Sequence, residues 1–154
     1  MPKEQFLNAM RCLAASVSVV SVKDSSGKSY AMTASSVTSL TIEPPAILVC
    51  VNKDASIHHV LEQGAEICIN ILNNDQQEIS NLCSAKDAEP SRFKNDHWNQ
   101  DGVPFLKHAQ SNIFCEVDKI IEYHSHSIVI SKVIQAKSAE PFNTLIYADG
   151  RYLS

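Results

Sequence analysis

Hydrophobic and polar positions along this 154-residue chain fall into short alternating or wholly apolar runs separated by turn residues. Such runs predict strands rather than long helices. After Pro2, the apolar residues Phe6, Met10 and Leu13 recur at helical spacing and predict a short amphipathic helix. Val17 to Lys23 alternates as a strand, and Asp24-Ser25-Ser26-Gly27-Lys28 reads as a hairpin turn. Tyr30 to Ile42 is strand-like throughout, rich in Thr, Ser and Val, until Pro44-Pro45 breaks it. Ala46 to Asn52 is apolar on both faces and predicts a central strand. Asp54 is placed to cap a short helix running to about Gln63, which Gly64 ends. Glu66 to Leu72 predicts a strand, and Asn74 or Asp75 starts a second helix with Ile79, Leu82 and Cys83 inward. Residues 84–105 read as a loop with a turn or two of helix. Two long strands, Ile113 to Tyr123 and Ile128 to Ala136, follow. Leu145 to Tyr147 and Arg151 to Leu153 then flank a turn at Ala148-Asp149-Gly150.

This pattern amounts to about seven strands and three helices. The helices do not alternate regularly with the strands, so a doubly wound parallel sheet is disfavoured. A mainly β protein, an antiparallel barrel or sandwich with a few flanking helices, is expected. No internal repeat, linker or low-complexity tract interrupts the chain, and one domain spanning 1–154 is expected.

Composition narrows the function. A hydrophobic content of 44% supports a full core. The net charge of −4, with scattered Lys and Arg, argues against nucleic-acid binding. Five cysteines, Cys12, Cys50, Cys68, Cys83 and Cys115, include no CxxC pair. They read as small buried hydrophobes in a reducing cytoplasm. The run CLAASVSVVSV at 12–22 is too short and too serine-broken for a secretion signal, and no run approaches membrane-spanning length. A cytoplasmic location with no membrane partner is expected.

Several chemistries lack their residues. The four glycines, Gly27, Gly64, Gly102 and Gly150, are too far apart for a dinucleotide fingerprint or a P-loop. His58 and His59 are adjacent and diverge on a helix. His124 and His126 share a strand face but lack further ligands, so no metal site is expected. No Gly-x-Ser-x-Gly elbow is present. The richest segment is Ala31 to Ser56. Thr33, Ser35 and Ser36 gather hydroxyls and N–H groups at a bend, and Asn52, Lys53, Asp54 and Ser56 surround a helix start that suits a phosphate. An ordinary strand followed by an ordinary capped helix would carry the same residues.

The order and spacing of several pieces resemble the short-chain flavin reductase family, the reductase components of two-component flavin monooxygenases. The pieces are MTASSVTSLTIEPPAILVCVN at 32–52, the helix start at Ser56, ICINIL at 67–72, Ser91-Arg92-Phe93, and LIYADGRY at 145–152. The resemblance runs from about Phe6 to Tyr152 and implies a Greek-key split β-barrel that binds FMN or FAD as a homodimer. It places Met32, Thr33, Ala34, Ser35 and Ser36 along the flavin ring and ribityl chain. It places Cys50, Val51 and Asn52 beside the ring and ribityl chain, and Asn52, Lys53 and Ser56 on the phosphate. Phe93 would cover the site with Arg92 beside it, and Tyr147 would pack near the flavin. His126 matches the histidine of the family's Gly-Asp-His motif, where the nicotinamide docks, and is the expected catalytic position. Here the motif reads His124-Ser125-His126, so the glycine and the acid are absent.

The activity implied is direct hydride transfer from C4 of NADH or NADPH to N5 of the flavin, with reduced flavin passed to a transient partner monooxygenase. The flavin carries such chemistry, and the protein supplies orientation and N–H donors for the charge that develops. A non-catalytic flavin-binding or electron-carrying module is the main alternative. A split-barrel oxidase of pyridoxamine phosphate is a third, disfavoured because the 13 Lys and Arg are not clustered.

Overall fold

The computed structural model describes residues 2–153. Helix α1 covers Pro2–Met10. The first strands are β1 (Ala15–Ser16), β2 (Ser18–Lys23), β3 (Ser29–Ala34), β4 (Thr38–Ile42), β5 (Pro45–Asn52) and β6 (Glu66–Ile71). Helix α2 covers Gln77–Leu82. Then come β7 (Trp98–Asn99), β8 (Phe105–Leu106), β9 (Ser111–Tyr123), β10 (His126–Ser138), β11 (Ile146–Ala148) and β12 (Arg151–Leu153). Single-turn 3-10 segments lie at Ser56–Val60, Asn74–Gln76 and Lys86–Ser91.

The main sheet has seven antiparallel strands in the order β3-β2-β6-β9-β10-β5-β4. Its two edge strands, β3 and β4, are consecutive in the chain and joined by Ser35, Ser36 and Val37 alone. Laid flat, the sheet would hold these edges about 29 Å apart at the usual strand spacing. The connection from Ala34 to Thr38 reaches only about 14 Å. The sheet must therefore curl until its edges approach, as the expected split barrel requires. Bulges near Ile130/Ser131 and Val133/Gln135 on the long β10 mark where the ladder with β9 bends. β1, β11 and β12 form a small separate sheet, and β7 pairs with β8.

Two cores follow. Val20, Val22, Val49, Val51, Ile57, Ile69, Val117 and Val129 fill the barrel interior. Val17, Val19, Leu72, Ile79, Cys83, Trp98, Leu106 and Leu145 pack between its outer side, α2 and the C-terminal segment. β2 contributes to both, so residues 18–22 are all buried. β5 does the opposite of its sequence pattern. Ile47, Val49 and Val51 are buried while Leu48 and Cys50 are half-exposed, because the second face of β5 has no layer over it.

Three further sequence expectations are corrected. Tyr30 to Ile42 is two strands, not one, since the bend at 35–37 carries the chain from one sheet edge to the other. The helix expected from Asp54 to Gln63 is a single 3-10 turn, Ser56–Val60. Ala55 stands at its N-cap with no side-chain cap, and Asp54 instead donates its N–H to Asn52 Oδ1 at 2.9 Å. The second helix is capped one residue earlier than expected. Asn73 accepts from the Asp75 N–H, and Gln76 reaches back to the Asn73 N–H, a reciprocal capping box. The C-terminal turn is as expected: Asp149 and Gly150 adopt φ 51° and 73°, as a tight two-residue hairpin demands.

Candidate functional site: a three-part trench at the split

The bend that joins the sheet edges opens onto a trench of three adjoining cavities. One of about 510 Å³ lies between Thr33, Ala34 and Ser35 on one side, Ser80, Asn81 and Ser84 on another, and Tyr147, Arg151 and Tyr152 of the C-terminal hairpin. A second, of about 380 Å³, shares Thr33 and Ser84 with it and continues past Met32, Asn52, Asp54, Ser56, Cys83 and Lys86. A third, of about 730 Å³, shares Ser56, Glu89 and Arg92 with the second and runs on to Lys28, Tyr30, His59, Phe93 and Lys94.

Much of the polar chemistry at the bend already has partners. Thr33 donates its hydroxyl to the Ser80 carbonyl at 2.7 Å and its N–H to the Cys83 carbonyl at 3.2 Å, tying β3 to α2. The Ser36 hydroxyl donates to the Cys50 carbonyl at 3.0 Å and accepts the Cys50 N–H at 3.2 Å, which latches the bend onto β5. Ser35 is exposed and its hydroxyl makes no hydrogen bond among the described residues, so it can serve a ligand. Ala34 is buried and offers only a wall. Met32 lines the second cavity.

The remaining expected residues divide. Asn52 and Ser56 line the second cavity together. Lys53 turns away: its ammonium pairs with Glu122 at 3.2 Å and its N–H donates to the Ser125 carbonyl. Lys86 lines this cavity instead. Val51 is fully buried in the barrel, so its side chain cannot reach a ligand, and Cys50 lines none of the three cavities. Arg92 is only 7% exposed. Its guanidinium donates to the carbonyls of Ala31 (2.8 Å), Ala85 (3.0 Å) and Leu82 (3.2 Å), so it clamps three segments around the trench rather than swinging free. Phe93 packs on Trp98 at 4.4 Å between ring centroids and lines the third cavity. Tyr147 lines the first and meets Tyr152 edge-on at 5.3 Å.

His126 begins β10 opposite Asn52 of β5, next to the second cavity though not lining it. Its Nδ1 lies 2.8 Å from the Ser125 hydroxyl. His124, standing where the family motif has glycine, adopts φ 49°, a conformation that glycine takes most readily. The single-chain structure leaves His126 exposed at the rim.

Sequence reasoning missed Ser80, Asn81, Ser84, Arg151 and Tyr152. The Tyr152 hydroxyl lies 2.7 Å from Ser80 Oγ and donates to Asn81 Oδ1 at 2.8 Å, joining α2 to the hairpin. The available signal was Ser80 and Ser84, four residues apart at the end of α2 and just past it, with the Ser84 hydroxyl donating to the Ser80 carbonyl. The missing signal was the partner hairpin, about 70 positions away.

The trench offers hydrogen-bond donors, an aromatic wall and the cations Lys28, Lys86, Arg92, Lys94 and Arg151. Burial pushes the Cys83 thiol in the second cavity up to about 12, against a smaller pull from Arg92, and holds it neutral. Among the described residues no group of three or more His, Cys, Asp or Glu is placed to hold a metal. This donor set suits a flat, largely neutral ring with a phosphate tail: tyrosine and small residues at one end, hydroxyl, amide and Lys86 in the middle.

Comparison with known proteins gives the family and the fold. Residues 10–154 match the family model described as "Flavin reductase like domain". The chain is 32% identical over 149 residues to the FMN reductase (NADH) RutF of Pseudomonas syringae pv. syringae (strain B728a), covering 96% of this chain and 83% of that protein. It is 30% identical over 152 residues to the reductase component of the FADH(2)-dependent resorcinol hydroxylase of Rhizobium sp. (strain MTP-10005), covering 97% and 85%. The structure superposes with a TM-score of 0.86 on the styrene monooxygenase flavin reductase of Pseudomonas putida S12, at 25% identity, covering 97% and 96% of the two chains.

Proposed function

Since this chain belongs to the flavin reductase like domain family, we propose that it is an NADH-dependent flavin reductase that supplies reduced FMN or FAD to a separate flavin-dependent oxygenase. The carrying observation is the trench at the split, continuous from an aromatic, hydroxyl-rich end to an end with Lys86 and the fixed Arg92. The names of the relatives, an NADH-dependent FMN reductase and an oxygenase's reductase component, support the same activity.

A bound flavin would supply the acceptor for hydride from the nicotinamide, so the protein has to orient two rings and steady charge. Met32 to Ser35, with Tyr147, form the wall for the ring. Ser35, Asn81 and Arg151 present polar groups where negative charge grows on the ring as it is reduced, and fixed donors of that kind lower the barrier. Asn52, Ser56 and Lys86 hold the phosphate. Ser36 and Arg92 act behind these groups, through the Cys50 latch and the three-carbonyl clamp. Lys53, tied to Glu122, frames the Asn52 turn and the β9–β10 hairpin. Phe93 closes the far end, and His126, beside Asn52, positions the nicotinamide. A cytoplasmic homodimer is part of the proposal, the partner subunit covering the exposed rim.

The test is NADH and NADPH oxidation followed at about 340 nm, a property of the nicotinamide itself, with FMN, FAD and riboflavin in turn. Turnover with excess free flavin is expected. Stoichiometric flavin binding without NADH or NADPH oxidation would instead establish a carrier.

A further inference from the structure

Glu89 stands where the phosphate end of the trench needs positive charge. It lies on the Lys86–Ser91 segment, and its carboxylate accepts the hydrogen bond of the Ser56 hydroxyl. Ser56 and Glu89 both line the second and third cavities, so the pair sits at their junction.

Among the described residues no Lys, Arg or His lies within ion-pairing distance of Glu89. Arg92, three residues on and lining the same two cavities, has its guanidinium committed to the carbonyls of Ala31, Leu82 and Ala85. Lys86 lines the second cavity without pairing with Glu89. That cavity therefore sets Lys86 and Arg92 against Asp54 and Glu89, and its formal charges cancel.

A serine hydroxyl donates one hydrogen bond. Glu89 and a phosphate oxygen cannot both receive it, and the two anions repel at close range. We infer that Glu89 is a specificity residue of the flavin site: it competes with the flavin phosphate for Ser56 and loosens the hold on phosphorylated flavins relative to riboflavin. The inference rests on the flavin reductase reading above. It gives that reading a release mechanism. Lys86 draws the phosphate in, while Glu89, ready to retake Ser56, speeds departure of a flavin that is handed to a separate oxygenase.

Glu89→Gln keeps the side chain's size and an oxygen to accept from Ser56, but removes the charge. Flavin fluorescence titrations with FMN and with riboflavin, alongside stopped-flow dissociation, compare it with the wild type and with Glu89→Ala as a second variant. Both variants are expected to bind FMN about tenfold more tightly, through slower dissociation, and riboflavin within about twofold of the wild type. An unchanged or weaker FMN affinity, or an equal gain for both flavins, overturns the role of Glu89. A wild-type protein that binds neither flavin and oxidises no NADH with either overturns the flavin reading itself, which keeps the two failures apart.

Discussion

Single residues in this protein do different work from what their types suggest. Arg92, a cation lining two cavities of the trench, is a structural clamp. Replacing it with Ala leaves three carbonyls short of a donor near the protein interior and is expected to lower unfolding free energy by about 3 kcal/mol. Urea unfolding of Arg92→Ala and of Arg92→Lys checks this, and Lys is expected to rescue little because it lacks the planar fork. Asp24 is the contrasting exposed case. Its carboxylate is held at about 2, below the ordinary 3.8, by the Ser26 hydroxyl first, then the Lys28 N–H, with smaller help from Tyr30 and the Ser26 N–H. A depressed folded pKa stabilises above the unfolded value and is lost as pH falls through the folded one. The difference in thermal midpoint between wild type and Asp24→Asn is therefore expected to be constant above about pH 4 and to vanish toward pH 2. For His126, the proposed role in positioning the nicotinamide predicts that His126→Ala raises the KM for NADH about tenfold, with FMN affinity changed far less. Steady-state kinetics and a flavin titration on the same variant read the two effects separately.

At the scale of elements, the trench depends on how short segments are pinned. Asn70 of β6 is fully buried, donates to the Val19 carbonyl at 2.8 Å and to Ser21 Oγ at 3.0 Å, and accepts from the Leu106 N–H and from Asn112. Ser21 in turn donates to the Pro104 carbonyl at 2.5 Å. This network fastens the β7–β8 ribbon to β2, β6 and β9, which is why serine and asparagine sit inside apolar strands. Asn70→Ala is expected to cost about 3 kcal/mol and to expose residues 98–106 to proteolysis before the sheet unfolds. Limited digestion followed by mass spectrometry would locate the first cut. The sequence pattern of these elements was legible where it depended on near neighbours: the 24–28 turn, the Asp149-Gly150 hairpin and the two long strands appear as expected. It failed at 30–42 and 54–63, where the sheet edges and a packed 3-10 turn override local propensity.

The whole molecule carries an unfinished surface. Helix α1 has no buried residue, and Phe6, Leu7, Met10 and Leu13 are all exposed. A nine-residue helix is marginal alone in water, so its apolar side calls for a partner. Ile42 is 85% exposed and Ile134 61%, on β4 and β10 of the main sheet. These positions support the proposed homodimer. Analytical ultracentrifugation is expected to give two chains per particle for the wild type. Ile134→Glu is expected to shift it toward one chain and to weaken FMN binding, because the rim holding His126 loses its cover.

The sequence by itself determined the long strands and the tight turns, since alternation and turn geometry are settled among residues a few positions apart, and the order of its motifs carried the resemblance to the family. It also singled out residues 32–56, several of which line the trench. Only the tertiary structure decided which groups there are free. Thr33 and Ser36 are spent on Ser80 and Cys50, Lys53 is turned to Glu122, Arg92 is locked by three carbonyls, and Glu89 is set on Ser56. Each of those outcomes depends on a partner brought near by the fold or on how a side chain is turned. Hydrogen-bond capacity, unlike hydrophobic pattern, is assigned only once the whole chain has closed around it.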